Sequence, residues 1–181
     1  LDDAAVAGLG RGRGADDGFP LCGEVTVELR AADGTLKART VQPNIITERG
    51  DQYYGERAAG IASPPGQVTG MKLGTGSTAV AKTGAGAALV TYLSNSHQAI
   101  DGSYPTSSLS SGKRRITWQA VWAAGKATTA SAITEVVIVI DTLADATSNA
   151  TNTISRALVT GVPSKEAADV LTITWTHDLG T

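Results

Sequence analysis

Gly23-Glu24-Val25-Thr26-Val27-Glu28-Leu29-Arg30-Ala31-Ala32-Asp33-Gly34 is the stretch that decides the fold. Val25, Val27 and Leu29 alternate with Thr26, Glu28 and Arg30, the period of a strand with one buried face. Asp33-Gly34 follows, where a tight hairpin needs positive φ. Leu36, Ala38 and Thr40 continue the alternation on a return strand. The chain therefore opens its ordered part with a β-hairpin.

Outward from this hairpin the same grammar recurs. Residues 68–73, 88–93, 115–123, 133–140, 153–160 and 170–177 read as further strands. Residues 133–140 are β-branched and almost wholly apolar, which predicts a strand buried on both faces in mid-sheet. Residues 74–86, 103–112 and 144–152 read as loops rich in small and polar residues. One helix is expected, capped by Thr47, running through Tyr53, Tyr54 and Arg57 and ending at Gly60. Tyr54, Ala58, Ala59 and Ile61 would form its apolar stripe, and Ser63-Pro64-Pro65-Gly66 stops it. About eight strands with one helix predict an all-β fold, an antiparallel β-sandwich or jelly roll over residues 22–181. Its expected core is Ile116, Trp118, Trp122, Val136, Ile138, Ile140, Leu171, Ile173 and Trp175.

Residues 1–21 read differently. Gly8, Gly10, Gly12, Gly14 and Gly18 weaken any regular element, so an extended N-terminal arm is expected. Its apolar groups Val6, Leu9, Phe19 and Leu21 and its cations Arg11 and Arg13 are the expected contacts with a neighbouring subunit. The segment lacks a 7-residue apolar stretch, so no signal peptide is expected.

Composition narrows the function. The 181 residues carry 15 Lys and Arg against 17 Asp and Glu, a net charge of −2. That balance argues against nucleic acid as the main partner. No apolar run approaches the roughly 18 residues of a membrane span. The single cysteine, Cys22, forms no internal disulfide or thiolate metal site, and is expected to be a buried structural thiol.

Chemical motifs are thin. Gly74-Thr75-Gly76-Ser77-Thr78-Ala79 matches a dinucleotide-loop pattern, but no Asp or Glu occurs between Glu56 and Asp101 to hold a ribose. Lys82-Thr83 resembles the end of a phosphate loop, yet Ala81 stands where its glycine must be. His97 and His177 are eighty positions apart without metal spacing, and His177 reads as a packed core histidine. Asp101, Glu135, Asp141 and Asp169 have no diagnostic spacing and read as solvated turn residues. Asn149-Ala150-Thr151 has the pattern of a glycosylation sequon but reads as a loop. No cofactor and no metal site is expected.

Three pieces carry a resemblance. They are Asn44-Ile45-Ile46-Thr47-Glu48-Arg49-Gly50-Asp51, then residues 71–83 (MKLGTGSTAVAKT), then Ile133-Thr134-Glu135-Val136 with Ile154-Ser155-Arg156-Ala157 and a closing Asp169-Val170-Leu171-Thr172-Ile173-Thr174-Trp175. Their order resembles a broad group of small virion structural proteins of tailed bacteriophages. In that group an N-(I/L)-(I/V)-T-x-x-G segment precedes an ALGTG-like loop, an ITEVG-like strand follows, and a D-x-LTITW-like strand closes the chain. The likeness spans residues 24–179. It departs at Val80, where the group often has Pro, and at Val137, where it often has Gly. It implies a non-enzymatic virion component and brings no catalytic residues.

The expected function is a capsid decoration or cement protein on the particle exterior, homo-oligomeric, with the major capsid protein or tail proteins as partners. A minor tail, baseplate or fibre-associated position is the alternative within this class. From another class, a carbohydrate- or host-surface-binding module would use Tyr92, Tyr104 and one exposed tryptophan. A hydrolase is the residual reading.

Overall fold

The computed structural model describes residues 21–180. They form two antiparallel five-stranded sheets with one α-helix. In chain order the elements are β1 (Leu21–Arg30), β2 (Leu36–Pro43), β3 (Ile45–Ile46), α1 (Glu48–Ala58), β4 (Gly70–Gly74), β5 (Gln98–Ala99), β6 (Thr106–Ser110), β7 (Lys113–Trp122), β8 (Glu135–Val139), β9 (Thr153–Leu158) and β10 (Val170–Leu179). One sheet runs β2-β1-β10-β7-β6, the other β3-β9-β8-β4-β5. The expected all-β sandwich with one helix is the fold of the described residues.

The opening hairpin forms as its pattern predicts. Gly34 takes φ +86°, its amide donates to the Ala31 carbonyl, and Asp33 Oδ1 accepts from the Thr35 amide. Strand β1 pairs β10 over its whole length, Leu21 opposite Leu179 and Val27 opposite Ile173. Its odd residues Val25, Val27 and Leu29 are buried, as are Leu171, Ile173 and Trp175 on β10 and Trp118, Ala120 and Trp122 on β7. These side chains meet Met71, Leu73, Val136, Ile138 and Ile154 of the second sheet in the main core. Of the expected core residues only Ile116 and Ile140 are partly exposed. Strand β8 lies between β9 and β4 and is buried on both faces. Val136 and Ile138 enter the main core, while Val137 and Val139 meet Leu89 in a second cluster.

Several local expectations are corrected. Residues 103–112 are not all loop. Thr106–Ser110 is edge strand β6, joined to β7 by a two-residue turn at Ser111 (φ +49°) and Gly112 (φ +82°). Positive φ at both central residues is the hairpin geometry that matches strand twist. Residues 88–93 are not a regular strand and make only one bridge, Tyr92 to Gly74. The helix is capped by Thr47, whose hydroxyl accepts from the Gly50 amide, but of its expected apolar stripe only Tyr54 packs. Tyr53 and Tyr54 contact the core, whereas Ala58, Ala59 and Ile61 are exposed. Cys22 is exposed rather than a buried structural thiol, because it sits on the outward side of β1 between Leu21 and Gly23.

The carboxylates depart furthest from expectation. Glu135 and Asp169 are buried, not solvated turn residues, and Asp141 is half-buried against Lys72 Nζ at 2.9 Å. Glu135 is held by Arg156, and Asp169 by Lys37 Nζ at 2.8 Å. Each buried charge has a partner, which burial demands.

Candidate interaction surface

The resemblance motifs converge on one buried centre. Glu135 on β8 and Arg156 on β9 are both fully buried, with Arg156 Nη2 2.8 Å from Glu135 Oε2. Glu135 Oε1 also accepts from the amides of Gly76 (3.0 Å) and Thr91 (2.7 Å), and Oε2 from Val90 (3.2 Å). Arg156 Nη1 donates to the carbonyls of Thr78 (2.8 Å) and Gly86 (3.3 Å). The Gly74-Thr75-Gly76 segment is thus wrapped on a carboxylate of its own chain. A Cβ on Gly76 would lie 2.4 Å from Glu135 Oε1, so the glycine is there for close approach to this group. The sequence missed this centre. Its signal was a single Glu at the head of an apolar strand and a single Arg inside a strand with no other charge.

The expected contact residues Val6, Leu9, Arg11, Arg13 and Phe19 lie outside the described residues. Leu21, the last of the set, opens β1 and lines an apolar recess of about 320 Å³ with Tyr54, Gly55, Ala58 and Leu179. A second recess of about 360 Å³ shares Tyr54 and Ala58 and extends over Pro105, Ile116 and Trp118. The two make one apolar groove, in which α1 is one wall and the ends of β1, β10 and β7 form the other. Arg57 is its one cation, and it already donates to the Pro65 carbonyl at 2.6 Å and lies over the Tyr53 ring.

Beneath the groove lies His177, fully buried. Its Nε2 is 2.9 Å from Trp175 Nε1 and its Nδ1 is 2.7 Å from the Tyr54 hydroxyl. An indole N–H only donates, so Nε2 must accept. Burial pushes the imidazole pKa down to about 3, so the ring is neutral at pH 7 and its proton sits on Nδ1. Nδ1–H then donates to the Tyr54 oxygen. The Tyr54 hydroxyl hydrogen is left for another acceptor, and no second hydrogen bond engages it among the described residues. Desolvation also raises the Tyr54 pKa, keeping the phenol protonated.

The other expected chemistry is dispersed. Trp118, Trp122 and Trp175 are all buried, so none offers a face to a sugar. Tyr92 donates to Asp145 Oδ1 at 2.7 Å beside His97, and Tyr104 is half-buried in the loop before β6. A polar recess of about 210 Å³ at the start of α1 is lined by Glu48, Arg49, Gln52 and Lys82. There Arg49 donates to Gln52 and Lys82 pairs with Asp51. No group of three or more His, Cys, Asp or Glu with metal-binding geometry occurs among the described residues. Nor, among them, is any helix long and apolar enough to cross a membrane.

No protein-family model, curated protein or solved structure matches this chain.

Proposed function

We propose that the protein is a non-enzymatic structural component of a bacteriophage virion, a capsid decoration or cement protein bound to the particle exterior. The observation that carries this reading is what the resemblance motifs do in the fold. The loop glycines, Glu135 and Arg156 are spent on one another inside the sandwich, building a scaffold rather than a substrate site. The remaining motif strand, β10, is the central strand of its sheet, between β1 and β7. A sandwich of this kind presents surfaces to neighbours, and symmetric repetition on a particle lets weak contacts act together. Of the expected arm contacts, Val6, Leu9, Arg11 and Arg13 supply further contact with neighbours, and copies of the chain associate as a homo-oligomer. A minor tail or baseplate position is the alternative within the same reading.

The test is to raise an antibody to the folded protein and image intact particles that carry it. Regular labelling of the capsid shell supports decoration, and labelling confined to the tail moves the protein to the alternative. Particles of the producing phage that lack the protein altogether overturn the virion reading.

A further inference from the structure

We propose that the groove between α1 and the ends of β1, β10 and β7 is the seat of the chain's own N-terminal segment, with Phe19 as its anchor. The seat is a property of the isolated chain and stands whether or not the protein is a virion component.

Position argues first. The twenty residues ahead of the described chain join it at Leu21, and Leu21 itself lines the groove. Phe19 is therefore only two residues, roughly 7 Å of extended chain, from a lining residue. Direction agrees. The odd residues of β1 face inward, with Val25, Val27 and Leu29 in the core and Leu21 in the groove. Phe19 shares this odd parity in the sequence. Residue 19 is the one phenylalanine of the chain.

Size and chemistry agree as well. The recesses of about 320 and 360 Å³ each exceed the roughly 150 Å³ that accommodates a benzene ring. The lining is apolar, with the Arg57 guanidinium already engaged. The Tyr54 hydroxyl hydrogen, which meets no acceptor among the described residues, suits a backbone carbonyl of a segment lying in the groove. The occupant is the same chain and not a second copy because the tether is so short. A short linker holds its end at an effective concentration in the millimolar range, above any ordinary protein concentration.

The experiment uses the full chain with Phe19→Ala, with Phe19→Leu as a milder variant and Leu9→Ala as a comparison. Thermal melting and acrylamide quenching of tryptophan fluorescence are read together, since Trp118 lies on the groove and all three tryptophans are buried. Phe19→Ala is expected to lower Tm by about 3–6 °C and to increase quenching, with Phe19→Leu in between and Leu9→Ala unchanged. Ala58→Leu, which fills the groove from the helix side, should give the same loss. Combined with Phe19→Ala it should add nothing further. Phe19→Ala and Phe19→Leu behaving like the parent would overturn the proposal. So would strict additivity with Ala58→Leu, or a loss that appears only at high protein concentration, which would place a second copy in the groove.

Discussion

Arg156 and Glu135 form a buried ion pair at 2.8 Å, and through it two strands hold three separate stretches of loop backbone. Removing one partner leaves the other charge in the interior with its hydrogen bonds broken. Arg156→Met and Glu135→Gln are each expected to lose about 3–5 kcal/mol of unfolding free energy in urea titrations. The double variant Glu135→Gln/Arg156→Met, which keeps an acceptor for the loop amides, should be more stable than either single variant, because no orphan charge remains. Additive losses in that cycle would show that the two residues act independently.

Two glycines should respond with opposite sign. A Cβ on Gly76 meets the Glu135 carboxylate at 2.4 Å, and that carboxylate is locked by four donors. Gly76→Ala is expected to cost about 1–3 kcal/mol through this overpacking. Gly55 lies inside α1 with nothing within 4 Å of an added Cβ. Gly55→Ala should stabilise the protein by about 0.4–1 kcal/mol, since alanine loses less backbone entropy on entering a helix. The difference is measurable by chemical denaturation of the two single variants.

The tryptophan core gives a third expectation. Trp175 is fully buried at the centre of β10, with Trp118 opposite it on β7 and Val25 on β1. Trp175→Ala is expected to lose about 3–5 kcal/mol. A loss below about 1 kcal/mol would mark the site as peripheral to the core.

What was legible in the sequence was what depends on local period. The β1–β2 hairpin, the Thr47 cap and the doubly buried β8 all follow from residue alternation and turn chemistry. Strand β6 was hidden because Thr106-Ser107-Ser108-Leu109-Ser110 sits on a sheet edge, exposed along most of its length, and has no buried face to impose a period. Its Ser111-Gly112 turn was the usable signal. Residues 88–93 misled for the converse reason. They have strand-like residues, but the Val90 and Thr91 amides are committed to Glu135 and not to a neighbouring strand. The Glu135–Arg156 centre and the α1 groove join residues far apart in the chain, so no local pattern displays them. Of the expected contact residues, Leu21 alone can be placed, and it lies in the groove.

His177 makes stability depend on pH in a definite direction. Its folded pKa is pushed down to about 3 by burial, from an ordinary value of 6.5. Between these values the unfolded chain binds a proton that the folded chain refuses. Stability is therefore complete above about pH 6.5 and falls as pH drops toward 3, by at most about 1.4 kcal/mol per pH unit. Asp169 and Asp178 are held below their ordinary 3.8 by hydrogen bonds from Lys37 and Arg115. Their stabilisation is lost in the same direction, but only as pH falls through the range below that value, so the region from about pH 6.5 to 4.5 isolates the histidine. Unfolding free energies measured across that interval should decline for the parent protein. His177→Gln cannot take up the proton in either state, so its profile should be flatter even though its stability is lower throughout. A variant with the parent's slope would mean that another group titrates there, and the neutral His177 bridging Trp175 and Tyr54 would not be the source of acid sensitivity.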